Sequence, residues 1–218
     1  DYHHPSVDYS QYDGDGDGVI DYFFVLWSGP DAGWSSIWWA WCDSTGSLFA
    51  GDSFAVDGKR LGVFSWQWEA NPRYGPYYDN VFHPNVIIHE TGHALGLPDY
   101  YDYSTSAGPD GGIGGLDMMD NNWGDHNAFS KWLLGWLEPT VVPSAAQARE
   151  ILLRPTAESP DAVAVMPGAD GPFAEYFIVQ NRTRVLNDTD VPTDGLLVWH
   201  VDARLNTNGD DFLYDNSY

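Results

Sequence analysis

Short apolar runs separated by Gly, Asp and Pro dominate the first third of the chain. Residues 19–27 and 61–68 are β-branched and aromatic runs of strand length, bounded by turn signals at Ser28-Gly29-Pro30 and Asp57-Gly58, which predicts a sheet. From Phe82 the pattern changes. Pro84 and Asn85 can open a helix, no Pro interrupts it, and Gly96 with Pro98 can close it, so the punctuation predicts a helix at about 85–95. Over 127–137, Phe129, Trp132, Leu133, Trp136 and Leu137 fall on one helical face before Pro139, predicting a second, packed helix. The stretch between them, 96–124, is rich in Gly and Asp and almost without period, a loop length that a compact domain keeps for function or ion binding. After Pro143, β-branched runs return at 161–166, 175–180 and 195–201. The expected fold class is α+β, with a sheet and two helices over 1–142 and a β-rich C-terminal part over 143–218, either of the same domain or a small adjoining subdomain.

Composition narrows the function classes. Of 218 residues, 32 are acidic and 9 are Lys or Arg, a formal charge of −23 that provides no basic footprint for a phosphate backbone and excludes nucleic acid as a partner. A hydrophobic content of 43% with 11 Trp is far too much burial potential for a disordered acidic tail. No apolar run approaches the length of about 18 residues that a membrane span requires, and 19–27 is interrupted by Asp21. Cys42 is the single cysteine, so no intramolecular disulfide forms and a free, buried thiol is expected. The chain starts at Asp1 without a charged and apolar leader, and is expected to be a piece of a longer product. The acidic residues are mostly aspartate, which favours turns, caps and hard-cation sites over helix interiors. With two lysines, Lys59 and Lys131, the acidity fits adaptation to high salt as well as ion-binding loops.

The strongest chemical signal is His89-Glu90-Thr91-Gly92-His93 on the first expected helix. Positions four apart share a helix face, so both imidazoles can reach one metal while Glu90 stands about 100° round, beside it. Gly96 can take positive φ and turn the chain back, allowing Asp99 to supply a third ligand; Asp117 and Asp120 are the alternatives. Two His and one carboxylate leave the fourth zinc position for water. The competing reading is a pair of ordinary helix histidines beside an acidic loop. In this composition the His-Glu-x-x-His spacing arises by chance on the order of once in a hundred chains, and with Gly and Asp at the two further positions roughly once in ten thousand.

The run from His89 to Asp102, His-Glu-Thr-Gly-His-Ala-Leu-Gly-Leu-Pro-Asp-Tyr-Tyr-Asp, resembles the signature of the immune inhibitor A-like family of secreted zinc metalloendopeptidases. Further pieces resemble that family in the same order: 13–21 with the run after it, Asp117-Met118-Met119-Asp120, 131–136, 175–182 and 195–202. The resemblance covers nearly the whole chain. It implies a metzincin-like zinc protease core over 1–142, with a mixed sheet, a helix bearing the motif and a methionine turn contributed by Met119. It also implies protein or peptide substrates, a secreted location and a propeptide in the full-length precursor. Asp99 stands where most metzincins carry a third His, in agreement with the immune inhibitor A-like pattern. Met119 taken alone is equally an ordinary core methionine.

Asp13-Gly-Asp15-Gly-Asp17-Gly18-Val19-Ile20-Asp21 is a second signal. Carboxylates at loop positions 1, 3, 5 and 9, Gly at 6 and the Val19 carbonyl at 7 are what a calcium loop needs. At position 12, Phe24 stands in place of the bidentate Glu, and a strand-like run follows where an EF-hand has a helix, so Asp21 or a distant carboxylate such as Asp8 must complete the shell.

The remaining histidines, His3, His4, His83, His126 and His200, have no ligand spacing to one another. His126 and Tyr100, Tyr101 and Tyr103 lie near the motif as oxyanion donors between which the sequence does not choose. The glycine run at 108–115 lacks the strand-to-helix setting and the Lys of a phosphate loop. The expected function is zinc-dependent peptide hydrolysis with Glu90 as base and calcium as a stabilising ion. A calcium-dependent adhesion module built on an inactive protease fold, and a non-peptidase zinc hydrolase, are the two other classes that fit these motifs.

Overall fold

The computed structural model describes residues 6–30, 40–44, 55–70, 82–101, 112–143, 148–168, 171–209 and 212–213. Among these residues the chain is α+β, with three sheets and three helices. It divides into two compact units, Asp1–Leu95 and Gly96–Tyr218.

In the first unit the run expected as one strand at 19–27 forms two, β1 (Val19–Ile20) and β2 (Phe23–Pro30), in different sheets. The break has a polar cause. Asp21 donates its amide to the Tyr12 carbonyl (3.0 Å) and accepts from Gly14 N with its carboxylate (3.0 Å), so the acidic loop takes it out of the ladder. The run 61–68 divides likewise, into β5 (Lys59–Leu61) and β6 (Val63–Ala70), around Gly62. A Cβ there would lie 2.5 Å from Val19 Cγ1 and 2.8 Å from the Ile20 carbonyl, so only glycine lets β1 approach this closely. β1 pairs parallel with β5, which forms a hairpin with β4 (Ala55–Val56) through Asp57-Gly58. The second sheet has the order β2-β6-β3, with β2 parallel and β3 (Trp41–Ser44) antiparallel to the central β6. It is the mixed sheet expected of this part of the chain. Helix α1 (Asn85–Ala94) packs on β6 and β3 and agrees with the helix expected at 85–95.

In the second unit the sheet order is β10-β9-β8-β7, from β7 (Thr140–Pro143), β8 (Val163–Met166), β9 (Glu175–Arg182) and β10 (Gly195–Asp202). All pairs are antiparallel except β7 with β8. The three β-branched runs expected after Pro143 are β8, β9 and β10. Helix α3 (Ala128–Leu133) lies on this sheet, and Ala128, Phe129, Ala164, Met166, Tyr176 and Ile178 form the core between them. Gln180, fully buried on β9, accepts from Ala128 N (2.7 Å) and Trp199 Nε1 (2.8 Å), which fixes the helix start against two strands.

The helix expected at 127–137 is shorter than its pattern. Gly135 takes φ +70°, and Trp136 N and Leu137 N both return to the Lys131 carbonyl (2.7 and 3.2 Å), which closes α3 at Leu133. Trp136, assigned to the buried face by periodicity, is therefore off the helix and 52% exposed. The Gly/Asp-rich stretch before it contains a one-turn helix, α2 (Met118–Asn121), capped by Asp117. That loop is organised by a buried ion pair: Arg182 binds Asp188 through both Nε and Nη2 and donates Nη1 to the Leu116 carbonyl (3.0 Å).

Candidate metal centre

α1 has an unusual buried face: His89, Glu90 and Gly92 are its buried residues. A helix that buries polar groups needs a partner for them. The Nε2 atoms of His89 and His93 lie 3.1 Å apart, with rings nearly perpendicular at 85°. Two donors about 2.0–2.1 Å from a tetrahedral ion are separated by roughly 3.3 Å, close to this spacing. After α1, Gly96 at φ +92° reverses the chain and Leu97 is buried, at 2% exposure. Within this continuous stretch, one ligand atom each of His89, His93 and Asp99 lie within 4.8 Å of one another. Two imidazole nitrogens and one carboxylate oxygen are a zinc-compatible donor set. Without a metal, the two Nε2 atoms can share a proton, so proton and metal compete for the same nitrogens.

Asp99 is followed by a well-anchored residue. Tyr100 donates its amide to the Met119 carbonyl (3.0 Å), and its hydroxyl meets Ser130 Oγ (2.8 Å), with burial as the main cause pushing the phenol pKa up. That hydroxyl is committed inside the second unit. Met119 is fully buried, and its amide donates to Asp117 Oδ1 (2.6 Å). Asp117, an alternative third ligand by sequence, is fully buried and uses its other oxygen to accept from Asn127 N (2.5 Å). Burial pushes its pKa up to about 6 against the opposing effect of those two amides. Asp120 accepts from Gly115 N (2.5 Å). Neither belongs to the convergent group.

Glu90, next to His89 in the sequence of α1 and 8% exposed, is not part of the group. Its field reaches Cys42 on β3, whose thiol is pushed up to about 12, first by burial and then by the Glu90 charge. That cysteine is free, as expected, and half-buried.

In the acidic loop, Asp13, Asp15 and Asp21 each offer an oxygen within 4.8 Å of the others. Asp17, exposed, accepts from Val19 N (2.7 Å) and is outside the group. Asp8 caps the turn Tyr9–Tyr12 by accepting from Ser10 N (3.0 Å), and it too is outside the group. The sequence reading missed Lys59. Its ammonium donates to Asp13 Oδ2 (2.5 Å), and that hydrogen bond is the main cause holding the Asp13 carboxyl below its usual range. A hydroxyl chain joining Tyr22, Ser65 and Thr91 was also missed, since residues so far apart leave no local signature.

His126 is buried with its ring 5.7 Å from that of Trp136, His83 accepts from Gln67 through its carbonyl, and His200 lies on exposed β10 beside Glu175. His3, His4, Asp102, Tyr103 and residues 108–111 lie outside the described residues. No helix among the described residues is long and apolar enough to cross a membrane. Compared with known proteins, the chain matches no family model and no curated protein.

Proposed function

We propose that the protein is a zinc-dependent endopeptidase that hydrolyses peptide bonds of protein substrates. The observation that carries this reading is the 3.1 Å approach of His89 and His93 Nε2, with the Asp99 carboxylate converging on them and Glu90 adjacent. The donor set fits zinc, and His89, His93 and Asp99 would hold it. Bound there, zinc supplies a Lewis acid for the scissile carbonyl and lowers the pKa of water. Glu90 takes a proton from the attacking water and passes it to the departing amine. Because an Asp ligand offsets more of the zinc charge than a third imidazole does, water is acidified less and the base matters more.

The mixed sheet β2-β6-β3, the motif on α1 and the buried Met119 turn next to Tyr100 support a metzincin-like core of the immune inhibitor A-like kind. The same reading places calcium on the Asp13 loop, with Asp13, Asp15 and Asp21 as its carboxylates and Lys59 as the group it displaces. It also carries a secreted location and a propeptide in the precursor.

Casein cleavage by the parent chain beside Glu90→Ala, both loaded with zinc, tests this. Cleavage by the parent alone, with zinc retained in the variant, supports the reading. Equal cleavage by both, or zinc bound without any cleavage, overturns it. In the second case the non-peptidase hydrolase and the calcium-dependent module are the classes left.

A further inference from the structure

The residue after Asp99 belongs to a closed ring of hydrogen bonds. Tyr100 N donates to the Met119 carbonyl (3.0 Å), and Met119 N to Asp117 Oδ1 (2.6 Å). Asp117 Oδ2 accepts from Asn127 N (2.5 Å), and Asn127 Oδ1 accepts from Ser130 N (2.9 Å). Ser130 Oγ returns to the Tyr100 hydroxyl (2.8 Å). Each residue closes the ring through two of its own groups. Met119, Asp117 and Ser130 are fully buried and Asn127 nearly so, so water does not replace a bond that breaks. Asp117 is the member that joins separate elements. One of its oxygens caps α2, and the other reaches ten residues on, to the amide of the residue that caps α3. α3 is in turn fixed to β9 through Ala128 N and Gln180. The ring is thereby anchored to the sheet.

We propose that Asp117 is a positioning residue for Asp99, acting through the peptide that joins Asp99 to Tyr100. The amide that donates to Met119 lies in that planar unit, whose far end is the Asp99 Cα. Met119 sets the direction of the N–H, while the hydroxyl on Ser130 holds the Tyr100 side chain from the other end. The Asp99 Cα cannot swing without breaking one of these bonds. Aspartate has the shortest carboxylate side chain, so an error at its Cα is passed on to its oxygens. A metal ligand has to lie within about 0.2 Å of its coordination distance, and a backbone shift of about 0.5 Å at Asp99 exceeds that. Asparagine in place of Asp117 offers one acceptor oxygen and turns an NH2 against the other amide, donor against donor, which opens the ring. Ser130→Ala opens it on the far side and leaves the carboxylate intact.

The consequence for metal affinity rests on the zinc reading; the placement of Asp99 does not. In the metal-free chain, above the Asp117 pKa of about 6, amide hydrogen exchange of Tyr100 and the backbone 13C resonances of Asp99 report that placement. Faster exchange and shifted resonances are expected in Asp117→Asn, and in Ser130→Ala should Asp117→Asn fail to fold. With zinc present, Asp117→Asn is expected to raise the dissociation constant about tenfold or more, the usual effect of losing an outer-shell partner. Val163→Ala is the control for stability alone, since Val163 is buried on β8 outside the core that Tyr100 packs against. It should lower the melting temperature and keep the parent zinc affinity. Unchanged Tyr100 exchange and Asp99 resonances in a folded ring variant overturn the proposal whether or not the chain binds zinc. Equal loss of zinc affinity in Val163→Ala also overturns it, by making the effect one of stability. A parent that binds no zinc, with exchange and resonances that do change, overturns the zinc reading and leaves the positioning role supported.

Discussion

Lys59 places its ammonium 2.5 Å from Asp13 Oδ2, on the same carboxylate that converges with Asp15 and Asp21. The hydrogen bond and the opposite charge raise the Lys59 pKa, so the lysine is a built-in cation of this loop. Any calcium ion has to displace it.

Lys59→Gln is therefore expected to bind calcium more tightly than the parent, by up to about fivefold, the range of an exposed ion pair. Asp13→Ala is expected to lose the rise in melting temperature that calcium gives the parent, and to melt lower in calcium-free buffer as well, because Asp13 also accepts from Lys59 and from the Gly16 and Gly18 amides. Calorimetric titration and thermal scans read both effects. Weaker calcium binding in Lys59→Gln would make the lysine a scaffold for the loop instead of a competitor.

Asp117 gives a pH prediction. Its carboxyl is fully buried and is raised from 3.8 to about 6, with burial as the main cause. A raised acid binds its proton more tightly in the folded state. Its contribution to stability is complete below about pH 4 and is lost as pH rises through about 6. The stability of the parent relative to Asp117→Asn should thus fall by up to about 3 kcal/mol between pH 4 and 7 and be level above that. Asp161, held low by the Arg154 guanidinium, has the opposite slope, but it is common to both chains and cancels in the difference. Urea unfolding at several pH values measures this. A difference independent of pH would mean that Asp117 stays ionised throughout.

Gly96 and Gly62 are expected to fail differently when changed to Ala. Gly96 has φ +92° and open space where a Cβ would go, so Gly96→Ala carries backbone strain of about 1–2 kcal/mol without a clash. Relieving that strain shifts the turn that returns Asp99, and zinc affinity should drop more than stability does. Gly62→Ala meets Val19 Cγ1 at 2.5 Å and the Ile20 carbonyl at 2.8 Å, so it should lower the melting temperature and separate β1 from β5. Equal loss of zinc affinity in the two variants would deny Gly96 its specific part in placing Asp99.

Punctuation carried more of the fold than periodicity did. α1 was legible from Pro84, Asn85 and Gly96, while its buried face of His89, Glu90 and Gly92 has no apolar stripe to detect. Periodicity misplaced Trp136, because Gly135 ends α3 first. The strand at 19–27 read as one piece because nothing apolar marks its break; the Asp21 carboxylate does, through a hydrogen bond to Gly14. Asp99 could be found from the sequence, since a glycine turn after a known helix constrains where the chain returns. Tyr22, Ser65 and Thr91 could not, because hydroxyl side chains are common and their meeting depends on how α1 packs against the sheet.

The buried pair Arg182 and Asp188 tests how far a polar network organises the loop before α3. Arg182 is 1% exposed and Asp188 fully buried, and Asp188 also accepts from Asp125 N (3.1 Å). Arg182→Met removes the guanidinium that binds this carboxylate and the Leu116 carbonyl, leaving both without that donor. The expected cost is about 3–5 kcal/mol, since a buried charge stripped of its partner is far worse than a buried pair. Arg182→Met with Asp188→Leu should recover part of it, because the carboxylate that would be stranded is removed together with its partner. Urea unfolding of the two variants decides the point. If the double variant is as unstable as the single one, the network contributes geometry that apolar packing does not replace, with the bond to Leu116, next to the Asp117 cap, as its critical part.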